Sequence, residues 1–232
     1  MPVQHGVPVQ HVVIVADGRV DDSALRDAVE PGDLVIGADG GARRALRAGV
    51  HVDLVVGDLD SLETPDLDDL VAAGATVIRA HPDKDESDTE LCLLAALERG
   101  ATRIRLLGAL GGPRIDHELA NVWLLTHPRL DGIDAVILDG DTTIRRMGTP
   151  DGPGSLVVDG AAEDIVTLLA IDDPVKGVTT HHLRYPLDAE ALTPGPARGL
   201  SNVMLEGAAR IETQRGRLLV IHTCHSTQEG TS

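Results

Sequence analysis

Short apolar runs alternate with amphipathic stretches along the first 150 residues of the chain. Runs rich in Val, Ile and Leu predict strands at residues 11–16, 33–38, 53–57, 76–79, 103–108 and 135–139. Apolar residues spaced by three and four predict helices at residues 23–29, 41–48, 66–73, 87–99 and 115–126. Strict alternation of strand and helix is typical of a doubly wound parallel sheet. We therefore predict a Rossmann-like α/β domain over residues 1–150.

The pattern changes after a turn-rich stretch at residues 149–154. Short strands without a helical period are then predicted at residues 155–158, 164–171, 175–180, 203–206, 209–213 and 217–222. Gly, Pro and Asp separate these strands, which is typical of antiparallel sandwiches. We predict a second, C-terminal antiparallel β-sandwich domain over residues 151–232.

The composition constrains the core and the partners. Because the chain has no Phe, one Trp and one Tyr, aliphatic side chains have to fill the core. We expect Trp123, Cys92 and Cys224 to be packing residues. A net charge of −17 argues against nucleic acid and anionic membrane as partners. No apolar stretch is long enough for a membrane span, so we expect a cytoplasmic protein.

Polar clusters follow four of the predicted strands at their C-terminal ends, where ligands bind in α/β sheets. Asp39-Gly40-Gly41 precedes a helix, a geometry that suits either a phosphate or an ordinary tight turn. Asp58 and Asp60 point the same way in extended backbone. In a cleft, such a pair of carboxylates holds magnesium, and on the surface it is an acidic turn.

The other two clusters begin helices. Ser87 and Glu90 have the spacing of a capping box, which explains the charges around Asp88 by helix capping alone. A capping box does not require Lys84, however, and this cluster follows the same edge of the sheet. After the fifth strand, Arg114 can donate to phosphate oxygens in a glycine-rich turn, and Asp116 begins the next helix.

In this order the four clusters resemble the motifs of the thiamine pyrophosphokinase family, which run Asp-Gly-Gly, Gly-Asp-x-Asp-Ser, Lys-Asp-x-[Thr/Ser]-Asp and Gly-Gly-Arg-x-Asp-His. In the second domain, Leu183-Arg184-Tyr185-Pro186-Leu187 is similar to the family's Leu-Lys-Tyr-Pro-Leu, and Gly199-Leu200-Ser201-Asn202 to its Gly-x-Ser-Asn. Two positions depart from the pattern. Pro113 stands where glycine is common, and Val203 where glutamate is common.

The resemblance implies a homodimer that transfers a pyrophosphoryl group from ATP to thiamine with magnesium, at sites between subunits. Carried over motif by motif, it implies magnesium ligands at Asp58, Asp60 and Asp88, which with Asp116 form the catalytic set. It implies ATP and phosphate contacts at Asp39, Gly40, Gly41, Lys84, Ser87 and Arg114. It implies thiamine contacts at Asp116, Tyr185, Ser201 and Asn202.

Two other functions use the same features. A pyrophosphokinase acting on a hydroxymethylpterin would share the magnesium and ATP machinery, although the motifs of the second domain argue against it. A non-catalytic module that senses magnesium and ATP would need the carboxylates and no acceptor pocket.

Overall fold

The computed structural model describes residues 11–81 and 83–225. Contacts divide the chain into two compact units, Met1–Gly140 and Asp141–Ser232. This division falls about ten residues before the predicted boundary. The functional division of the chain at residue 150 stays a prediction.

The first unit is a parallel sheet with helices between its strands. Its strands are β1 (His11–Val15), β2 (Leu34–Ala38), β3 (Leu54–Gly57), β4 (Thr76–Arg79), β5 (Arg103–Leu107) and β6 (Asp134–Asp139). Its helices are α1 (Asp22–Ala28), α2 (Gly40–Arg47), α3 (Thr64–Ala72), α4 (Asp88–Glu98) and α5 (Ile115–Leu124). Every predicted helix and strand of this unit is confirmed, with ends that agree within about two residues.

The strand order of this unit places one crevice in the sheet. The strands pair in parallel in the order β6-β5-β1-β2-β3-β4. The chain moves outward from β1 to β4, and α4 then packs across β1, β2 and β3 on the way back to β5. The direction of winding therefore reverses between β1 and β5, and ligands of doubly wound sheets bind at that point.

The core of the first unit is aliphatic, as the composition predicts. Buried Val, Leu and Ala side chains from the sheet and from α1, α2 and α3 form one cluster, and Cys92 of α4 is also buried. Trp123 is 59% exposed, so its predicted place in the core is wrong. It lies on one face of α5 with Ile115 and Leu119, which are exposed as well, because the helix turns other residues toward the sheet.

The second unit consists of two antiparallel sheets. Its strands are β7 (Thr142–Met147), β8 (Gly154–Asp159), β9 (Ile165–Ala170), β10 (Val175–His181), β11 (Glu190–Leu192), β12 (Asn202–Val203), β13 (Ala208–Thr213) and β14 (Leu218–Thr223). One sheet has the order β12-β9-β14-β7 and the other β11-β10-β13-β8. Buried residues of both sheets form one core, which confirms the predicted sandwich.

Two strands of this unit were not predicted. In β7 the buried residues are Ile144 and Met147, three positions apart, so the alternating pattern of a half-buried strand is missing. Strand β11 is only three residues long. Cys224 follows the last strand and is exposed, so its expected place in the core is also wrong.

Candidate active site

A cavity of about 480 Å³ lies at the C-terminal ends of the parallel strands. Loops after β1, β2, β3, β4 and β5 line it, together with the N-terminal parts of α4 and α5. The predicted residues in its lining are Asp39, Asp58, Asp60, Lys84, Ser87, Asp88 and Arg114. The lining does not include Gly40, Gly41 or Asp116. The cavity therefore collects most of the predicted ATP and metal residues.

Three carboxylates converge in this cavity. Asp39, Asp58 and Asp88 each offer an oxygen atom, and these oxygens lie within 4.8 Å of one another. They come from separate places, since Asp39 precedes α2, Asp58 follows β3 and Asp88 begins α4. Gly57 makes this approach possible, because a Cβ there would lie 3.1 Å from the Asp39 Cβ and 3.3 Å from the Asp88 Cγ. A side chain at position 57 would push the carboxylates apart.

Asp39 is the most buried of the three, with 6% of its surface exposed. Its Oδ2 accepts a hydrogen bond of 3.2 Å from the Ser61 N–H, whereas its buried Oδ1 has no partner among the described residues. Burial raises the pKa of Asp39, and the neighbouring charges of Asp88 and Asp60 raise it further against the hydrogen bonds from Ser61. An unpartnered buried oxygen beside two more carboxylates fits a hard divalent cation.

Asp60 lies outside this group of oxygens. It is exposed, its Oδ1 accepts a 3.1 Å hydrogen bond from the Ser61 hydroxyl, and its N–H donates to Asp58 Oδ1 at 3.2 Å. The structure thus groups Asp39, rather than Asp60, with Asp58 and Asp88. The pairing of β2 with β3 brings the ends of these strands together and so places Asp39 beside Asp58. A ligand role for Asp60 stays a prediction.

Lys84 supplies a positive charge to the carboxylates. Its Nζ donates a 2.7 Å hydrogen bond to Asp88 Oδ1. Burial acts to lower the pKa of Lys84, but the hydrogen bond and the charges of Asp88, Asp58 and Asp39 raise it above the ordinary value. The ammonium group is therefore charged at neutral pH.

Ser87 caps the helix that carries Asp88. Its Oγ accepts a 3.2 Å hydrogen bond from the Glu90 N–H, which confirms the cap that the sequence predicts. The first turn of α4 lines the cavity, so the positive end of the helix dipole lies beside it. A phosphate contact by Ser87 stays a prediction.

Arg114 and Asp116 form an ion pair with each other. Arg114 Nε donates to Asp116 Oδ1 at 3.1 Å, and Arg114 Nη2 donates to Asp116 Oδ2. The hydrogen bonds from Arg114 hold the pKa of the Asp116 carboxyl below its ordinary value, and Asp116 raises the pKa of Arg114. Both side chains are exposed at the start of α5. Their predicted roles toward phosphate and thiamine stay predictions.

The loop after β1 is a part of the site that sequence reasoning missed. Asp17 and Gly18 line the cavity, and the Gly18 N–H donates to the Gly108 carbonyl at 2.7 Å. A Cβ at Gly18 would lie 2.2 Å from the Leu110 carbonyl oxygen, so only glycine permits this contact. The loops after β1 and β5 therefore meet where the winding reverses. Applying the strand-end rule to the first strand would have found Asp17.

The predicted thiamine residues lie in the second unit. Asn202 is buried, and its Oδ1 accepts the Tyr185 N–H at 2.9 Å while its Nδ2 donates to the Tyr185 carbonyl at 2.7 Å. Its amide thus fastens the segment that carries the exposed Tyr185 ring. Ser201 is exposed, and its N–H donates to Thr167 Oγ1 at 2.9 Å. Contacts of these three residues with thiamine stay predictions.

Comparison with known proteins identifies the family. Two family models match, the thiamin pyrophosphokinase catalytic domain at residues 25–137 and the thiamin pyrophosphokinase vitamin B1 binding domain at residues 156–218. The solved structure of a thiamin pyrophosphokinase family protein from Enterococcus faecalis is 30% identical and covers 92% of this chain and 99% of its own, with a TM-score of 0.76. The chain belongs to the thiamine pyrophosphokinase family.

Other members of the thiamine pyrophosphokinase family agree with this assignment. The thiamine pyrophosphokinase of Bacillus subtilis is 26% identical over 190 residues, which cover 82% of this chain and 87% of the relative. A crystal structure of thiamine pyrophosphokinase from the same organism has a TM-score of 0.82 and 25% identity, and covers 93% of this chain and 99% of its own. Thiamine pyrophosphokinase 1 of Arabidopsis thaliana is 27% identical over 205 residues, or 79% of this chain and 76% of the relative.

Family membership confirms several expectations. The α/β domain followed by a β-sandwich is the fold of these relatives, and ATP-dependent pyrophosphoryl transfer is the activity that places the chain among the transferases. The hydroxymethylpterin alternative is not favoured, because a vitamin B1 binding domain matches the second unit. Across residues 11–81 and 83–225, no helix is both long and apolar enough to cross a membrane.

Proposed function

We propose that this chain transfers the pyrophosphoryl group of ATP to the hydroxyl group of thiamine, giving thiamine diphosphate and AMP, with magnesium as the divalent cation. The observation that carries the proposal is the convergence of Asp39, Asp58 and Asp88 in the cavity where the parallel sheet reverses its winding. The match of the catalytic-domain model to residues 25–137 supports it, since these carboxylates lie within that range.

The chain's residues serve this reaction by position and charge. The thiamine oxygen forms a bond to the β-phosphorus of ATP, and the bond from that phosphorus to the α–β bridging oxygen breaks, so AMP leaves with that oxygen. A carboxylate of the site accepts the hydroxyl proton. Asp39, Asp58 and Asp88 would hold the magnesium ion, which neutralises phosphate charge when bound. Lys84 and the first turn of α4 offer further positive charge to the phosphates.

The acceptor belongs to the second unit in this proposal. The vitamin B1 binding domain model matches residues 156–218, which include Tyr185, Ser201 and Asn202. The Tyr185 ring is exposed and can stack on a flat heterocycle, and Asn202 holds its backbone in place. A homodimer with shared sites and a cytoplasmic location complete the proposal.

Product analysis tests the function directly. We expect the purified chain, mixed with ATP, thiamine and magnesium, to release AMP and thiamine diphosphate in equal amounts by chromatography. Removing magnesium with a chelator should stop both products. Asp58→Asn should lower turnover by about a hundredfold, because it removes one carboxylate from the convergent group, whereas Asp68→Asn on the exposed surface of α3 should not. ADP with thiamine monophosphate, or no product at all, would contradict the proposal.

A further inference from the structure

Lys84 is one of only two lysines in the sequence, the other being Lys176. Its side chain is 13% exposed, and its Nζ lies 2.7 Å from Asp88 Oδ1. Asp88 is also one of the three carboxylates whose oxygens lie within 4.8 Å of one another. An ammonium group therefore contacts one of the three carboxylates that a divalent cation at this site would use.

The ion pair between Lys84 and Asp88 places a positive charge beside the three carboxylates. Without it, three anionic groups would face each other in a cavity partly removed from water, and their repulsion would be large. Lysine suits this place because its ammonium is a compact point charge on a flexible stem. The contact lies between residues four apart, Lys84 in the loop and Asp88 at the start of α4, so a rotation of the side chain breaks it without moving the helix.

We propose that Lys84 is a counter-ion built into the site, which neutralises Asp88 while no divalent cation is bound and moves to a phosphate group when the cation and ATP bind together. A cation that binds alone competes with Lys84 for the Asp88 carboxylate, and displacing Lys84 would leave a mostly buried ammonium without a partner, which is unfavourable. A cation that binds with a nucleotide leaves Lys84 a phosphate to contact. Lys84 thus couples loading of the metal to loading of the nucleotide.

This inference rests on the cation site of the proposed function, and metal binding tests it without turnover. Mn²⁺ is titrated into nucleotide-free wild-type protein and into Lys84→Met, and free Mn²⁺ is read by its paramagnetic resonance signal. We expect Lys84→Met to bind Mn²⁺ about tenfold more tightly, because a competing charge is gone. Lys176→Met, which changes the net charge equally, should match the wild type.

We expect Lys84→Met to change nucleotide binding in the opposite direction from Mn²⁺ binding. With saturating Mn²⁺, we expect Lys84→Met to bind α,β-methylene-ATP, which cannot be cleaved at the reacting bond, about tenfold more weakly than the wild type. A purely structural role would not tighten one ligand and weaken the other. Lys84→Gln provides a second neutral side chain, and thermal melting checks that each variant is folded.

These binding experiments distinguish a failure of the proposed role of Lys84 from a failure of the proposed cation site. Mn²⁺ binding by Lys84→Met and Lys84→Gln that is equal to or weaker than that of the wild type would overturn the role of Lys84 and leave the cation site intact. If neither the wild type nor the variants bind Mn²⁺, with or without nucleotide, the cation site and the role of Lys84 both fail.

Discussion

Asp39 combines two features that are unfavourable in a folded protein. Its backbone has φ of 45° and ψ of −118°, a region that residues other than glycine seldom occupy, and its carboxylate is buried. Such a conformation costs on the order of 1–3 kcal/mol and persists where the surroundings hold it. Here the Asp39 N–H donates to the Val56 carbonyl, and its own carbonyl accepts from Ala42 at the start of α2. In this conformation the Asp39 carboxylate lies beside those of Asp58 and Asp88, and the strain is consistent with the metal-binding role that we propose for it.

Comparison of Asp39→Asn with Asp60→Asn decides which of these residues completes the metal site. We expect Asp39→Asn to weaken Mn²⁺ binding to the protein by roughly tenfold or more, because it removes one of three convergent anionic oxygens. Asn tolerates positive φ, so the backbone should be kept. Asp60→Asn should weaken binding less, since Asp60 contributes only a nearby charge. A larger loss in Asp60→Asn would instead support the ligand set that the sequence predicts.

The elements themselves were largely predictable. Periodicity locates every strand and helix of the first unit, because half-buried strands and helices each impose their own spacing on apolar residues. Strand β7 was not predicted, because its buried positions do not alternate. The exposure of Trp123 was not predicted, because periodicity shows only that α5 has an apolar stripe. It cannot show that Ile115, Leu119 and Trp123 are left exposed.

The sequence predicted the motifs of the candidate site better than it predicted which carboxylates lie together. Strand ends locate Asp58 and Asp88 at one edge of the sheet, and the structure brings them together. Spacing along the chain favours Asp60 as their partner, whereas the neighbouring loop supplies Asp39. Whether Asp39 or Asp60 lies with Asp58 and Asp88 depends on the turn after β3. There Leu59 has φ of 67°, and the alternation of an extended strand is lost. No local pattern in the sequence announces such a turn.

One buried carboxylate links the end of β14 to the turn before β9, in addition to the backbone pairing of β14 with β7 and β9. Asp164 lies just before β9, and its Oδ2 accepts from the Ala161 N–H at 2.8 Å and pairs with His222 Nε2 at 2.9 Å. Its Oδ1 accepts from the His225 N–H at 2.7 Å. Burial acts to raise the pKa of Asp164, but these hydrogen bonds outweigh it and lower the pKa. The carboxylate thus joins His222 and His225, at and just after the end of β14, to the turn before β9.

We expect Asp164→Asn to lower the free energy of unfolding by about 3 kcal/mol, because an amide cannot replace the charge or accept from all three donors. Urea unfolding at pH 7 measures this, with Asp159→Asn at the exposed end of β8 as the control.

Because the folded pKa of Asp164 lies below the unfolded value of about 3.9, the contribution of Asp164 to stability is complete above that value and is lost as the pH falls through the folded pKa. The difference between the wild type and Asp164→Asn should therefore shrink in acid, and a constant difference would contradict the assignment.

At the scale of the whole molecule, the two halves of the proposed chemistry lie in different units. The predicted ATP and metal residues belong to Met1–Gly140, and Tyr185, Ser201 and Asn202 belong to Asp141–Ser232. The proposed reaction would need both sets of residues in one site. In the proposed homodimer, one subunit supplies the first set to a site and its partner supplies the second. The net charge of −17 opposes self-association, so the contacts between subunits have to overcome that repulsion.

Mixing two inactive variants tests whether sites are shared. Asp58→Asn disables the first unit and Tyr185→Ala the second, so each homodimer should have low activity. After unfolding and refolding together, a mixed dimer would contain one doubly altered site and one unaltered site. Random pairing makes half of the dimers mixed, so the mixture should regain about a quarter of wild-type turnover. Sizing by light scattering confirms the dimer, and refolded wild type gives the reference. Activity no higher than the mean of the two variants, in a proven dimer, would show that each chain builds its own site.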